Sequence, residues 1–262
     1  MLTISQLYTY PVKSMGGIDL TTARLTDRGF EYDRRWMLVD QNNRFISQRE
    51  SPRLALLQPG ILADGLSITH KINGDQLIIP FTPKGENITA VIWDDICELQ
   101  LVDPAADAWL SNILERSCRL VYMPDNCSRR VDDSYSFNGE LTSLSDAYPL
   151  LMIGQSSLDD LNSRLDIPVP MNRFRPNIVF TGGEPYHEDD MSHFAINGIN
   201  LYGVKPCARC PIPTIDQNTA IASKEPIKTL ATYRARNNKV YFGQNLLFDG
   251  GGVIRVGDLI ID

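Results

Sequence analysis

The sequence predicts a mainly β protein with some α-helix, an α+β chain whose short strands close or half-close into barrels. In the first hundred residues, β-branched and aromatic runs are broken at short intervals by Asn, Asp and Gly pairs. Three modest segments carry helix signals. Neither half alternates strands with helices or contains a GxGxxG fingerprint, which argues against a dinucleotide-binding fold.

The first half is predicted to contain strands and one helix. Asn73-Gly74-Asp75 lies between two apolar runs, which is a signal for a tight hairpin. Asp103-Pro104 precedes apolar residues at helical spacing, and proline suits a first helical turn. Strands are predicted at 37–40 with 45–46, 66–72, 76–80, 91–93, 97–101 and 118–122.

The polar, turn-rich stretch 123–139 is interpreted as a loop or a domain boundary. We therefore predict two domains, residues 1–125 and 126–262. In the second domain, Ser156 or Ser157 is expected to cap a helix. The elements predicted there are helices at 156–165 and 226–236 and strands at 177–181, 198–204 and 240–261.

Composition narrows the classes of function. The 262 residues carry a net charge of −7, which disfavours nucleic acid and anionic membranes and leaves a small molecule as the expected partner. The N-terminus lacks a signal-peptide pattern, and no apolar run approaches the ~20 residues needed to span a bilayer. Five cysteines without a secretory signal favour reduced thiols. We therefore expect a cytoplasmic protein.

Cys207 and Cys210 lie three residues apart in the stretch 205–220, which also holds an arginine and a carboxylate. A closed zinc site needs four ligands, and the sequence offers no second pair at suitable spacing. A thioredoxin-type pair opens a helix, but Pro211 and Pro213 prevent a regular helix there. Spacing alone leaves open a structural pair, because buried cysteine behaves as a small hydrophobe, and a soft thiolate ligand for a redox-active metal.

The neighbours of these cysteines resemble a known signature. Cys207-Ala208-Arg209-Cys210 followed by Thr214-Ile215-Asp216 is similar to the signature of the MOSC (molybdenum cofactor sulfurase C-terminal) family. The likeness is greatest to the branch of the bacterial YcbX-like proteins and the mitochondrial amidoxime-reducing component. An ordered series of motifs is more specific than any one of them. The further matches are Tyr10-Pro11-Val12-Lys13-Ser14, Asp33-Arg34-Arg35-Trp36, Arg173-Phe174-Arg175-Pro176-Asn177-Ile178, Ser223-Lys224-Glu225-Pro226, Phe242-Gly243-Gln244-Asn245 and Val256-Gly257-Asp258.

The resemblance implies a MOSC β-barrel domain at 126–262, preceded by a MOSC N-terminal β-barrel-like domain at 1–125 whose strands contribute to the cofactor pocket. It also implies a molybdenum cofactor, Mo-molybdopterin, whose metal is held by one protein thiolate. By position the metal ligand is Cys210, and dithiolene-bound molybdenum favours one more soft sulfur donor. Cys207 is then expected to be a thiol near the metal that does not bind it.

The resemblance also nominates residues that hold the phosphate and the polar pterin. Guanidinium groups bind phosphate bidentately and lysine acts as a point charge, although a random lysine or arginine is usually a solvated surface charge. The Ser145-Asp146 pair fits a simple turn equally well. Asp216 is the candidate catalytic residue beside Cys210, with bracing of the metal loop as an equal alternative to proton transfer. The cofactor-binding candidates are Lys13, Ser14, Arg34, Ser145, Arg175, Asn177, Cys207, Arg209 and Asn245.

Four positions depart from the family pattern. Relatives usually carry threonine in place of Pro213, glycine in place of Ala220 and tryptophan in place of Met191. Several mitochondrial relatives have an aromatic residue in place of Asn245. The loop shape, the substrate preference and the surroundings of the metal are expected to differ accordingly.

The function that the resemblance implies is reduction of N-hydroxylated compounds, such as hydroxylaminopurine-type bases or amidoximes, to amines by a molybdenum-dependent oxidoreductase. A positioned acid must supply protons, and electrons must enter from outside. The sequence has no flavin or nicotinamide fingerprint and no plant-type iron–sulfur spacing. We therefore expect a separate electron-donor protein of ferredoxin or flavoprotein type. Two alternatives stay open: a sulfur carrier with a persulfide on Cys210, and a non-catalytic cofactor-binding protein.

Overall fold

The computed structural model describes residues 1–261. Within that range it contains nineteen strands, three α-helices and four 3₁₀ turns. The strands are β1 (Leu2–Thr9), β2 (Ile18–Leu20), β3 (Thr22–Thr26), β4 (Gly29–Phe30), β5 (Trp36–Val39), β6 (Leu57–Ile61), β7 (Gly65–His70), β8 (Gln76–Pro80), β9 (Asn87–Ile92), β10 (Asp95–Leu101), β11 (Arg119–Tyr122), β12 (Leu150–Gly154), β13 (Ile178–Thr181), β14 (His193–Ile196), β15 (Ile199–Ala208), β16 (Ala235–Arg236), β17 (Lys239–Asp249), β18 (Gly252–Arg255) and β19 (Leu259–Ile261). The helices are α1 (Pro104–Leu114), α2 (Gln155–Asn162) and α3 (Ile227–Ala231), and the 3₁₀ turns are Pro52–Leu56, Met171–Arg173, His187–Asp189 and Ile212–Thr214.

Seven strands form a closed barrel that includes the cysteine-bearing strand β15. Their order is β12-β13-β1-β19-β14-β15-β17, and β17 pairs with β12 to complete the circle. Closure leaves none of these strands with a free edge. A buried apolar cluster packs along them and includes Ile4, Phe180, Phe194, Leu201 and Leu246. The predicted mainly β class with closed strands is confirmed.

The N-terminal strand β1 belongs to this barrel. It pairs antiparallel with β13 and β19, both from the second half of the chain, and Leu7 lies opposite Ile178. The residues that follow β1 are thereby placed beside those that precede β13. The predicted domain boundary after residue 125 stays a prediction.

Strand β2 pairs with β1, and β3 and β4 join β18 in a separate three-stranded sheet. The remaining strands of the first half form two small sheets around α1. Their strand orders are β5-β11-β10-β9 and β6-β7-β8. Helix α1 begins after Asp103, whose Oδ1 accepts a hydrogen bond from the Ala105 amide at 2.6 Å. Leu110 and Leu114 of α1 are buried in one cluster with Leu120 of β11. No helix within residues 1–261 has the length and apolar character needed to cross a bilayer.

Several local predictions are confirmed. The hairpin around Asn73-Gly74-Asp75 joins β7 to β8, with Thr69 opposite Gln76. The helix after Asp103-Pro104 is α1. Each rests on side-chain or backbone preferences of adjacent residues, which is why sequence spacing alone located them.

Two helix predictions in the second half are wrong in detail. Gly154, not Ser156 or Ser157, is the N-cap of α2, because the Ser157 hydroxyl donates to Glu188 Oε2 at 2.7 Å. Helix α3 is shorter than 226–236, because Ala235 and Arg236 pair with β17 instead. In the first case the partner, Glu188, lies 31 residues away in the chain, whereas in the second a short hairpin with Lys239 and Val240 replaces the last helical turn.

Candidate functional site

Strand β15 carries Cys207 near its end, and Cys210 follows two residues after the strand. The strand extends beyond the predicted 198–204 because it pairs with β17, with Lys205 opposite Asn245. The Asn245 amide donates to the Lys205 carbonyl at 3.0 Å, and register shifts on both sides of this pair re-aim the neighbouring side chains. Both thiols are half-buried, whereas the other three cysteines are buried.

Arg173 fixes the loop that follows Cys210. Its Nε donates to the Pro213 carbonyl at 2.8 Å and its Nη2 to the Thr214 carbonyl at 3.2 Å. Its Nη1 forms an ion pair with Asp216 Oδ2 at 2.9 Å. Because the Arg173 side chain is only 7% exposed, these charge-assisted bonds are shielded from water. The Cys210 loop is therefore tied to the segment that precedes β13.

Asp216, the predicted catalytic carboxylate, braces this loop. Its Oδ1 accepts hydrogen bonds from the amides of Asn218 and Thr219 and from the Thr219 hydroxyl, at 2.9 to 3.0 Å. Partial burial raises its pKa, but these bonds and the Arg173 charge outweigh burial and hold the pKa of Asp216 below its usual range. The group is therefore ionised at neutral pH, which favours bracing, and its part in proton transfer stays a prediction.

Arg209 connects the Cys207 thiol to the same segment. Its Nη1 donates to Cys207 Sγ at 3.1 Å, and its Nη2 donates to the Phe174 carbonyl at 2.7 Å. Burial raises the pKa of the Cys207 thiol, although the Arg209 charge opposes this effect. Burial thus favours the neutral thiol form of Cys207, and its expected role as a thiol that does not bind the metal stays a prediction.

Tyr10 carries two guanidinium groups against its ring. The guanidinium carbons of Arg34 and Arg175 lie 4.2 and 4.3 Å from the ring centroid. The Tyr10 hydroxyl donates to the Pro176 carbonyl at 3.0 Å, which joins the segment after β1 to the segment before β13. Burial, followed by repulsion from Arg34, lowers the pKa of Arg175 to about 10. Two cations held this close are stabilised when an anion binds between them.

Asn177 and Asp33 orient Arg34. Arg34 Nη1 donates to Asp33 Oδ2 at 2.6 Å and to Asn177 Oδ1 at 3.2 Å. Asn177 Nδ2 in turn donates to Asp33 Oδ1 at 3.1 Å and to the Tyr8 carbonyl at 3.2 Å. The Asn177 amide is therefore engaged by the protein itself, and it positions the guanidinium of Arg34.

Lys13 lies in the same region and is 5% exposed. Its Nζ donates to Asp146 Oδ1 at 2.7 Å and to the Leu144 carbonyl at 2.9 Å. An ammonium group has three donors, so one remains for a ligand. Burial lowers the pKa of Lys13 to about 8, although Asp146 opposes the shift.

Three of the predicted cofactor-binding residues have a left-handed backbone. The φ angle is 69° at Ser14, 49° at Arg34 and 58° at Arg175. Such conformations cost of order 1–3 kcal/mol each and concentrate at binding sites. The hydroxyl of Ser145, by contrast, is used inside its own turn, in hydrogen bonds of 2.6 and 2.8 Å.

Arg49 adds a fourth cation to this cluster. Its guanidinium carbon lies 4.5 Å from the Trp93 ring centroid and 5.9 Å from that of Phe45. Lys13 Nζ lies 5.3 Å from the same Phe45 ring, and both cations interact electrostatically with Asp146. We call Lys13, Arg34, Arg49 and Arg175 the cationic cluster. Two carboxylates, Asp33 and Asp146, face it, so its net charge is positive and it attracts anions.

A cavity of about 580 Å³ opens beside this cluster. Tyr10 and Arg175 line it together with Gly16, Gly17 and other residues from both halves of the chain. Cys207 and Cys210 are not among its lining residues, so the cavity reaches the cationic cluster but not the thiols.

Comparison with known proteins identifies both parts of the chain. Residues 1–117 match the MOSC N-terminal beta barrel domain, and residues 140–261 match the MOSC domain. The chain is 34% identical over 276 residues to mitochondrial amidoxime-reducing component 1 of Mus musculus, covering 98% of this chain and 81% of that protein. The chain belongs to the MOSC domain family.

Two further relatives extend this result. Mitochondrial amidoxime-reducing component 1 of Homo sapiens is 32% identical, with 98% of this MOSC protein and 81% of the relative covered. Molybdenum cofactor sulfurase of Danio rerio is 30% identical, and the match covers 92% of this chain but 31% of that longer protein. The family thus includes proteins named for amidoxime reduction and for the molybdenum cofactor.

The residues of this MOSC protein fit a phosphate-bearing molybdenum cofactor. The cationic cluster has more positive than negative groups, and Lys13 retains a free donor. Within residues 1–261, three buried polar atoms near the thiols and the Ser145 turn lack a hydrogen-bond partner, namely Arg209 Nε, Gln244 Oε1 and Ser143 Oγ. Unpaired buried polar atoms cost about 1–3 kcal/mol each, which a polar ligand offsets. Cys210 is a free, half-buried thiol, and its sulfur is a soft donor of the kind that such a metal accepts.

The structure brings most of the predicted residues together. Lys13, Ser14, Arg34, Arg175 and Asn177 lie in one region. Arg209 bonds to the Phe174 carbonyl at the edge of this region and also donates to Cys207. Asn245 lies on β17, where its side-chain amide donates to the Lys205 carbonyl and not to a residue of the cationic cluster. The sequence analysis did not nominate five further residues of the site. Four of them lie inside or beside the recognised motifs, whereas Arg49 lies in none of them. The missed residues are Tyr10, Asp33, Arg49, Asp146 and Arg173.

Proposed function

We propose that the protein is a molybdenum-cofactor-dependent reductase that converts N-hydroxylated compounds, such as amidoximes and hydroxylaminopurine-type bases, to amines. The main support is that the segment 173–175 bonds to the Cys210 loop on both sides while Arg175 joins the cationic cluster. A soft sulfur donor and phosphate-binding cations are thus held in one arrangement. The relatives named for amidoxime reduction support the same reaction.

In this proposal Cys210 would be the thiolate ligand of molybdenum, and Lys13, Arg34 and Arg175 would bind the phosphate of the pterin. The bound cofactor would supply a two-electron reduction of the N–O bond. The reaction balances as R–NHOH plus two electrons and two protons, giving R–NH₂ and water.

The side chains around Cys210 fix the conformation of the loop and the protonation state of the neighbouring thiol. Arg173 and Asp216 hold the loop after Cys210. Cys207 stays a neutral thiol because burial raises its pKa. The electrons would come from a separate donor protein of ferredoxin or flavoprotein type, and the reaction would take place in the cytoplasm.

The deciding experiment is a metal and pterin assay on protein purified from a host that makes the cofactor. Wild-type protein is expected to carry molybdenum and pterin in stoichiometric amounts relative to the protein chain. The Cys210→Ala variant is expected to lose the metal. Cys118→Ala is the matched control, because Cys118 is buried in the cluster around α1. Sulfane sulfur on Cys210 without metal would contradict the reductase and support a sulfur carrier.

Activity forms the second step. The loaded protein is expected to reduce benzamidoxime when a chemical reductant such as reduced methyl viologen is present, and not with NADH alone. Bound metal without turnover under any reductant would support a cofactor-binding protein instead. Turnover with NADH alone would contradict the separate electron donor.

A further inference from the structure

Two tyrosines and one lysine form a wall beside the strand that carries Cys207. Lys205 Nζ lies 4.2 Å from the centroid of the Tyr135 ring. The rings of Tyr135 and Tyr148 meet edge to face, with centroids 5.8 Å apart and planes at 81°. Lys205 stands on β15 two residues before Cys207. We call Tyr135, Tyr148 and Lys205 the aromatic wall.

The aromatic wall lies close to Cys207, because Tyr148 interacts electrostatically with the Cys207 thiol. Tyr148 follows Asp146 by two residues, and Asp146 forms the ion pair with Lys13. Asp146 also interacts electrostatically with Cys207. Burial raises the pKa of Tyr148, and the nearby Tyr135, Asp132 and Cys207 groups add to this effect. Because Cys207 in turn interacts electrostatically with Cys210, the wall lies beside the pair of thiols.

The loop that presents Tyr135 is held in place by its own hydrogen bonds. The Glu140 carboxylate accepts from the Ser136 hydroxyl at 2.5 Å and from the amides of Phe137 and Asn138 at 2.9 and 3.1 Å. Because the loop is ordered in advance, the Tyr135 ring binds a ligand at a small cost in conformational entropy.

The polar atoms of the aromatic wall are free to bind a ligand. Within residues 1–261, no hydrogen bond or salt bridge engages Lys205 Nζ or the hydroxyls of Tyr135 and Tyr148. All three side chains are half-buried. Their ring surfaces suit a planar partner, and their three polar groups suit acceptor atoms at its edge.

We propose that the aromatic wall binds the substrate and selects N-hydroxylated groups attached to a planar aromatic ring over those attached to a small aliphatic group. This inference rests on the proposed reductase function. Tyr135 and Tyr148 are the specificity-determining residues, since their rings contact the substrate ring, while Lys205 donates to its acceptor atoms. An aromatic contact of this kind contributes a preference of about two- to tenfold.

The test compares benzamidoxime with acetamidoxime, which share the reacting group and differ in the ring. In the loaded protein, Tyr135→Leu is expected to raise KM for benzamidoxime about two- to tenfold relative to acetamidoxime. Tyr135→Phe keeps the ring and is expected to leave the ratio of the two KM values unchanged. Phe137→Leu is the matched control, because Phe137 lies in the same loop but packs on Tyr202 at 5.2 Å.

A second measurement separates this inference from the proposed function. Calorimetry on the loaded protein gives Kd for benzamide, a neutral aromatic compound without an N–O bond, and Tyr135→Leu is expected to raise this Kd by the same factor. If wild-type protein reduces neither amidoxime, the reductase proposal fails and Kd still decides the role of the wall. An unchanged Kd, or equal changes in KM for both amidoximes, overturns the inference. Should Tyr135→Leu not fold, Tyr148→Leu takes its place in both assays.

Discussion

Replacing Glu188 by glutamine is expected to stabilise the protein at alkaline pH and to change its pH dependence. Glu188 is fully buried in the 3₁₀ turn His187–Asp189. The Ser157 hydroxyl donates to its Oε2 at 2.7 Å, but its Oε1 has no partner within residues 1–261. Burial is the dominant influence and raises the pKa of Glu188 from its ordinary 4.5 to about 7.

The sign of the effect follows from which state holds the proton. Between pH 4.5 and about 7 the folded chain keeps the Glu188 proton while the unfolded chain has released it. The free energy of unfolding therefore falls as pH rises through this window and levels off above it. The difference between 4.5 and about 7 corresponds to ~3 kcal/mol, because each pKa unit is worth about 1.4 kcal/mol.

Thermal unfolding followed by circular dichroism measures this effect. The Glu188→Gln variant has no titrating group at position 188. Its Tm is therefore expected to exceed that of wild type by roughly 6–12 °C at about pH 8 and by little at about pH 4.5. Glu184→Gln, at an exposed position four residues earlier, is the control and is expected to leave Tm unchanged. A Tm difference between Glu188→Gln and wild type that is independent of pH would refute the reasoning.

Three further changes test other parts of the structure. Asp103→Ala removes the N-cap of α1 and is expected to lower the free energy of unfolding by about 1 kcal/mol in urea denaturation, with Asp103→Asn restoring most of it. Arg175→Lys keeps the positive charge but loses the planar guanidinium group that lies against Tyr10. Dialysis in high salt is therefore expected to remove pterin from this variant faster than from wild type. Equal retention of pterin would exclude a bidentate role for Arg175. Because the pKa of Lys13 is about 8, its charge is lost as pH rises through 8, and pterin retention is expected to weaken between about pH 7 and pH 9.5. Lys13→Gln should abolish that pH dependence.

Local features were accessible from the sequence. The hairpin at Asn73-Gly74-Asp75 and the start of α1 depend on neighbouring residues, so spacing and capping chemistry located them. The stretch 205–220 was singled out because thiols, arginine and carboxylate share it, and the resemblance to the family signature then selected Cys210 within it. The motif series around it determined the family, and the comparisons confirm that assignment.

The tertiary structure alone decided which charged groups act together. Arg34 and Arg175 share the Tyr10 ring because β1 pairs with β13, and a contact between residues so far apart along the chain has no local signal. Closure of β12 onto β17 likewise completes the barrel that holds the Cys210 loop. Glu188 became a buried acid for the same reason, since its burial comes from packing against α2 and not from its neighbours in sequence. The sequence thus determined the chemical groups, and strand pairing over long distances decided their electrostatic environment.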